Sequence, residues 1–442
     1  MHILFLSDNF PPETNAPATR LHEHARRWVR AGHRVSVVTC APNFPRGEVF
    51  DGYENRWLSR ETIDGIEVYR VKTFITANSG FALRTLDFLS FMIMGVLGGL
   101  LPLRPDVVVA TSPQFFAAVG GWLLSVLRRK PFVFEVRDLW PASIAAVGAL
   151  RKNALLRLLE KVELFLYRRA ARIVTVTHAF RDDLIGRGIP PQKIAVVTNG
   201  VDLERYAPRE RDEELARELD VEGRFVVGYL GTHGMAHALE NVLAAAERLR
   251  DLPEALFLFV GSGAAKETLV REAERRGLTN VRFHDPQPKE RMPALWSVCD
   301  TVLVHLKDSP VFATVIPSKL FEAMGAGRPV LFAGPDGEAP EIVRATGCGV
   351  WVPPEEPEAL AEAVRELASN ADRREALAQA SAAAAELYSR EHLAERMLSE
   401  LAATTDGAAI SGVPAAPSSE LEHAQPESSE DAERSADSER AA

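Results

Sequence analysis

The sequence predicts an α/β fold of two doubly wound domains facing across a cleft, and three observations carry that prediction. Strand-like runs alternate with amphipathic stretches through residues 1–198, the alternation restarts near Phe225, and 46% of the 442 residues are apolar, enough for two cores. The first run, HILFLSD, is followed by a helix over Ala18–Ala31, then RVSVVT, a long excursion, DVVVAT, a helix over Phe116–Leu127 and PFVFEV. Near-continuous apolar strands joined through helices imply a parallel sheet covered on both faces. A helix over Asn153–Arg169 sets Leu155, Leu158, Leu159, Val162, Phe165 and Leu166 on one face before RIVTVT completes the domain.

The second alternation runs FVVGYLGT, a helix over Ala238–Arg250, LFLFVGSG, a helix over Lys266–Arg276, VRFHD, a short helix over Met292–Val298, TVLVHL, a helix over Ser318–Gly325, PVLFAG and CGVWVP. Helices over Glu358–Leu367 and Ala385–Ala402 follow, the last free to pack back on the first domain. The expected boundaries are 1–198, 199–402 and a tail, 403–442. From about Thr404 the chain is mostly Ala, Ser, Pro, Glu and Asp, with no aromatic residue and Leu421 as its one leucine. Such a segment cannot bury enough apolar surface to fold, and disorder is expected.

Net charge is −10, yet residues 1–198 hold 26 basic against 17 acidic side chains, while the tail holds 9 acidic against 2 basic. A basic first half suits an anionic membrane surface or an anionic substrate, or it reflects arginines scattered on solvated helices. No zinc knuckle, helix-turn-helix pair or aromatic RNP strand is present, which argues against nucleic acid. Cys40, Cys299 and Cys348 are widely spaced and odd in number, so neither a disulfide framework nor a metal site is expected, and a reducing cytoplasm fits. The opening residues lack the basic and apolar regions of a signal peptide. Phe88–Leu103 is a 16-residue apolar run, short against the ~20 residues of a membrane span. It is expected to be a buried helix or a face that dips into a bilayer surface.

The segment IPSKLFEAMGAGRPVLF, Ile316–Phe332, carries the clearest chemistry. A helix starting there offers free N–H groups and a positive dipole end to phosphate, Lys319 adds a charge, and Glu322 one turn on can accept from hydroxyls. A sugar nucleotide is the ligand suggested; the plainer alternative is a helix start with Ser318 as N-cap. Asn9–Thr19 is polar and Pro-rich, with Glu13, Asn15 and Arg20 placed to contact acceptor and diphosphate together, or else it is a surface turn stiffened by Pro11, Pro12 and Pro17. GSGAAK lacks a third fingerprint glycine and a following strand-end acid, which argues against a dinucleotide.

TNGVD at the junction, then LFLFVGSG, NVRFHDP, IPSKLFEAMGAGRPVL and EALAEAV in that order, resemble a GT-B glycosyltransferase of family 4, over nearly all of residues 1–402. NFPPETNAPATR, GHRVSVVT and EVRDLWPAS resemble more narrowly the bacterial branch that builds surface polysaccharides, including N-acetyl-fucosamine-type transferases. The resemblance implies two Rossmann-like domains, the first for the acceptor and the second for a nucleotide-sugar donor, with no metal ion and with retention of configuration. Donor contacts are expected from Gly231, Thr232, His233, Gly234, His237, Gly263, Asp285, Thr314, Ser318, Lys319 and Glu322, and the resemblance gives Glu322 the ribose hydroxyls.

Three positions depart from the family pattern. Thr314 stands where many relatives have a Glu, so it can hydrogen-bond a sugar hydroxyl but cannot act as a carboxylate. GYLGTHGMAHALENV has Thr232, His233 and His237 where relatives place an Arg and a Lys, which leaves Lys319 and the turn's backbone to meet the diphosphate. Arg137-Asp138 replaces a His-Asp pair; Asp138 is a candidate base with Arg137 on phosphate, or the two form a loop-holding ion pair, or a donor phosphate oxygen takes the proton. The implied activity is transfer from a nucleoside diphosphate donor, UDP before GDP, to a lipid-linked saccharide at the cytoplasmic face of the membrane. A nucleotide-sugar epimerase of the same fold and a non-catalytic scaffold are the alternatives.

Overall fold

The computed structural model describes residues 1–76, 81–102, 104–112, 114–139 and 154–405; Leu103, Asn153 and the tail from residue 406 lie outside them. The first lobe is an eight-stranded sheet of β1 (His2–Leu6), β2 (Arg34–Cys40), β3 (Leu58–Ile63), β4 (Ile66–Val71), β5 (Val107–Thr111), β6 (Phe132–Val136), β7 (Arg172–Thr175) and β8 (Ile194–Val196), in the order β3-β4-β2-β1-β5-β6-β7-β8. All neighbours are parallel except the β3–β4 hairpin, which occupies part of the expected excursion. Its signal was present: Asp64-Gly65 sits between Ile63 and Ile66, both with positive φ, as a two-residue hairpin turn requires. The second lobe has six parallel strands, β9 (Phe225–Leu230), β10 (Ala255–Val260), β11 (Val281–His284), β12 (Thr301–His305), β13 (Val330–Ala333) and β14 (Gly349–Val352), in the order β11-β10-β9-β12-β13-β14.

Both sheets are buried on two faces, as the unbroken apolar strands demand. In β1, Leu4 and Leu6 pack with Phe91 and Leu124, while Ile3 and Phe5 pack with Leu21 and Trp28 on the opposite side. The Phe81–Gly98 helix, which contains most of the long apolar run, is buried on one face only: Phe91 is enclosed, whereas Leu83, Leu86, Ile93 and Leu97 are exposed. No described helix is long and apolar enough to cross a membrane. The three cysteines are free and buried.

The chain crosses between lobes twice. The expected Ala385–Ala402 helix is two helices, Ala371–Leu387 and Arg390–Thr405, broken where Ser389 bridges to Val201. Here Val201 N donates to Tyr388 O at 2.9 Å and Arg390 N to Val201 O at 2.8 Å, so the two crossings run side by side. Gly200 is required by this approach, since a Cβ there would lie 2.1 Å from Tyr388 O. The Arg390–Thr405 helix then returns to the first lobe, where Leu393, Ala394, Met397 and Leu401 join the Ile3–Phe5–Trp28 core and Trp28 Nε1 donates to Ala394 O at 2.8 Å.

Candidate donor site between the lobes

A cavity of about 190 Å³ lies between the two lobes. Thr19, Arg20, His24 and Arg137 line it from the first, Asn199 and Gly200 from the crossing, Lys289, Ser318 and Glu322 from the second, and Arg390 from the returning helix. Four cations face one carboxylate. The Arg137 Nε is enclosed and has no hydrogen-bond partner. Burial depresses the Arg137 guanidinium to about 10 despite nearby Glu135, and it pushes Lys289 down as well, with Arg205 and Arg390 adding to the effect. His24, buried beside Arg20, is held well below its usual value and is neutral near pH 7. Arg20 is balanced by Glu135 and Arg390 faces Glu23 at 3.8 Å, so the unmatched donor of this wall is the Arg137 Nε, whose burial costs free energy that an entering anion would offset.

The Ser318–Gly325 helix serves two faces. Ser318 and Glu322, four residues apart, point into the cavity, while Lys319 turns toward Tyr229. The N-cap position belongs to Pro317, so Ser318 is not the cap, and no side chain closes the helix start. Glu322 is raised by burial, with Arg390, Lys319 and Lys289 pulling the other way.

Lys319 Nζ stands 3.7 Å above the Tyr229 ring centre without a hydrogen bond. Beside it the Gly231–Gly234 turn offers less backbone than the sequence suggested: Gly231 N donates to Val260 O and His233 N to Ser262 O. His233 is wholly buried among Tyr229, Phe259 and Phe283. Gly263 is a packing glycine, since its Cβ would meet His233 O at 2.4 Å. Thr232 O accepts from the Tyr229 hydroxyl at 2.8 Å, and Gly234 O accepts from His237 N at 3.0 Å. His237 and His305 each donate Nδ1–H to the other's carbonyl, at 3.2 and 2.7 Å. Thr314 donates to Val311 O at 2.8 Å, leaving its hydroxyl able to accept only.

Four expected ligands have other duties. Both oxygens of Glu13 accept from loop donors, Asn9 and Phe10 on one side and the Asn43 and Phe44 amides on the other, so it fastens two loops and has no lone pair directed at an acceptor. Asn15 is the N-cap of the Ala16–Arg30 helix, accepting from Ala18 N at 3.0 Å. Arg20 lines the cavity but spends its donors on Glu135 at 2.8 Å, Val197 O at 2.8 Å and Thr198 O at 2.6 Å, tying its helix to the crossing. Asp285 is solvent-exposed and bound to Lys266 at 2.7 Å, away from the cavity wall. Asp138 lies where β6 ends, its N–H donating to Ser112 Oγ at 3.1 Å. Lys289, Arg390 and His24 were missed from sequence. Lys289 follows β11 and donates to Thr19 across the cleft at 3.0 Å, a strand-end position that would have marked it; nothing local marks Arg390, which arrives only because the chain returns.

At the end of β1, Asp8 takes a hydrogen bond from Gln114 on Oδ2, while Oδ1 is enclosed without a partner. Burial, with Asp87 and Glu13 adding repulsion, pushes this carboxyl up to about 8. Its folded value thus exceeds the unfolded ~3.9, so the folded chain binds the extra proton and stability falls as pH rises from ~4 to about 8. Asp8→Asn is expected to stabilise the protein by about 1–3 kcal/mol at pH 8 and by little at pH ~4.5, read by chemical unfolding at the two pH values.

Comparison with known proteins agrees with this arrangement. Residues 15–200 match the "Glycosyl transferase 4-like domain" and residues 210–384 the "Glycosyl transferases group 1" model. The putative colanic acid biosynthesis glycosyl transferase WcaI of Escherichia coli (strain K12) is 27% identical over 377 residues, 83% of this chain and 92% of that protein. A GDP-mannose-dependent alpha-mannosyltransferase of Mycobacterium tuberculosis is 27% identical over 380 residues, 83% and 89% of the two chains. Among solved structures, Anabaena HepE in complex with UDP superposes with a TM-score of 0.66 at 20% identity, over 91% of this chain and 100% of its own. With both halves matched in order and two parallel sheets flanking a cationic cleft, the chain belongs to the GT-B glycosyltransferases of family 4 and is similar to those of surface-polysaccharide synthesis.

Proposed function

We propose that the protein transfers a sugar from a nucleoside diphosphate donor, UDP before GDP, to a lipid-linked saccharide at the cytoplasmic face of a membrane. The observation that carries the donor half is the cavity wall of Arg20, Arg137, Lys289 and Arg390 against the single carboxylate of Glu322. As the bond from the anomeric carbon to the diphosphate breaks, its electron pair stays on the phosphate, and Arg137, Lys289 and Arg390 neutralise that charge without a metal ion. Glu322 accepts from ribose hydroxyls. The acceptor oxygen forms the new bond to the anomeric carbon, and its proton passes to a donor phosphate oxygen, the retaining route, or to Asp138. HepE was captured with UDP and UDP-glucose, which supports UDP; the mannosyltransferase relative keeps GDP as the alternative.

Thermal stabilisation by UDP and GDP in parallel separates these, since a ligand that binds only the folded state raises its melting point. Lys319→Ala is expected to weaken UDP binding by about 1.5–3 kcal/mol, the worth of a charged hydrogen bond, in an isothermal titration. Unchanged affinity would remove Lys319 from the site. Release of UDP only when a saccharide is present distinguishes transfer from epimerisation.

The membrane half rests on surface. Leu83, Leu86, Ile93 and Leu97 are joined by exposed Leu100 and Leu101 and by Leu123, Val126 and Leu127 of the neighbouring Phe115–Arg128 helix, whose end carries Arg128, Arg129 and Lys130. Apolar side chains beside cations suit an anionic bilayer. The protein is expected to co-sediment with phosphatidylglycerol vesicles at low salt and to be released as salt rises. Recovery in the supernatant at low salt would contradict this.

A further inference from the structure

The surroundings of Lys319 offer its nitrogen one aromatic face and no hydrogen bond. Its Nζ is enclosed over the Tyr229 ring with no hydrogen-bond partner, and no ion pair among the described residues includes it. The titratable groups facing it are His233 and His237 of the turn after β9, His305 at the end of β12 and Glu322 one helical turn on, with Lys266 behind His233. Both ring nitrogens of the buried His233 also lack partners. At Gly231, where φ is +139°, a Cβ would lie 3.4 Å from Nζ, so the glycine leaves a methyl-sized gap on that side of the enclosed nitrogen. A phosphate oxygen entering that gap would meet the nitrogen at hydrogen-bonding range.

We propose that donor binding is proton-coupled: the nucleoside diphosphate enters together with one proton from solvent, and Lys319 receives it. This rests on the donor-site reading above and adds its regulation by pH. Before the donor enters, burial brings Lys319 down to about 7, more than Glu322 restores, and the three imidazoles to about 4, so above neutral pH the amine and the imidazoles carry little charge. An anionic phosphate beside the nitrogen favours the ammonium, and the amine gains one N–H bond as a buffer acid gives up its proton, with no bond between heavy atoms changed.

The test is calorimetric titration of UDP into the full chain at about pH 8.5, where the free diphosphate is fully ionised, in two buffers of different ionisation enthalpy. Uptake close to one proton is expected, with Kd rising several-fold between about pH 7.5 and 8.5. Lys319→Arg, charged throughout, should bind UDP without proton exchange and with a flat pH profile. If that variant does not fold, Lys319→Met must also bind without uptake. Proton-free binding by the parent, or uptake that survives in either variant, overturns the proposal while leaving the donor site standing. Failure of the parent to bind any nucleoside diphosphate overturns the donor reading and this inference together.

Discussion

Arg20→Ala is expected to destabilise the folded chain by about 3–5 kcal/mol, the cost of leaving one partner of a buried ion pair uncompensated. Arg20 and Glu135 are 6% and 3% exposed and meet at 2.8 Å, so neither charge can turn to water when the other is removed. Burial alone would lift Glu135, yet Arg20 and then Arg137 hold it below the usual carboxylate range. The pair therefore contributes stability above the unfolded carboxyl value, and that contribution is lost as pH falls through the lower folded one. In Arg20→Ala the sign reverses, because Glu135 keeps Arg137 and the Thr111 hydroxyl but loses its ion-pair partner and ionises at a cost. Adding Glu135→Gln should recover part of the loss, since an amide needs no counter-charge. Arg20→Ala also frees the Val197 and Thr198 carbonyls at the lobe crossing, so activity should fall with stability. Denaturant unfolding of the two single variants and the double variant measures the coupling directly.

Arg137→Met is expected to behave in the opposite way, with little loss of stability and a fall in kcat/KM of about 10²–10³. Its Nε has no protein partner, so the folded state loses no hydrogen bond from that atom and is relieved of a depressed cation, which offsets the weaker field left at Glu135, still paired with Arg20. On the proposed donor reading the transition state, by contrast, loses a donor to the departing phosphate. A variant that melts no lower than the parent yet turns over slowly separates function from fold. Parallel losses of both would make Arg137 a structural residue.

Most of the architecture was legible because β1, β5, β6, β9, β10 and β12 are near-continuous apolar runs, each followed by a helical pattern. The helix at Ser318–Gly325 was legible to the residue, since Pro317 and Gly327 punctuate it. The hairpin was passed over because β3, LSRETI, is polar on its exposed face and lies at the sheet edge, where burial leaves a weaker imprint. Within the site, Ser318, Glu322, Lys319 and Arg137 follow from strand and helix ends, which sequence marks. Glu13 and Asn15 serve backbone donors, and Arg20, though it lines the cavity, spends its donors on Glu135 and two carbonyls. One physical reason covers all three: a polar side chain near a strand end can satisfy protein groups as readily as ligand, and only three-dimensional neighbours decide which. Arg390 was invisible, because its place depends on a helix returning over 190 residues to meet Gly200.

The account stands on the claim that the cationic cavity between the lobes holds the donor diphosphate. Calorimetric titration of UDP into the parent and into the Arg137→Met/Lys289→Met double variant tests it most directly. One site per chain is expected in the parent, and affinity at least ~100-fold weaker in the double variant, whose circular dichroism stays that of the folded parent. A folded double variant that binds UDP as tightly as the parent would contradict the claim.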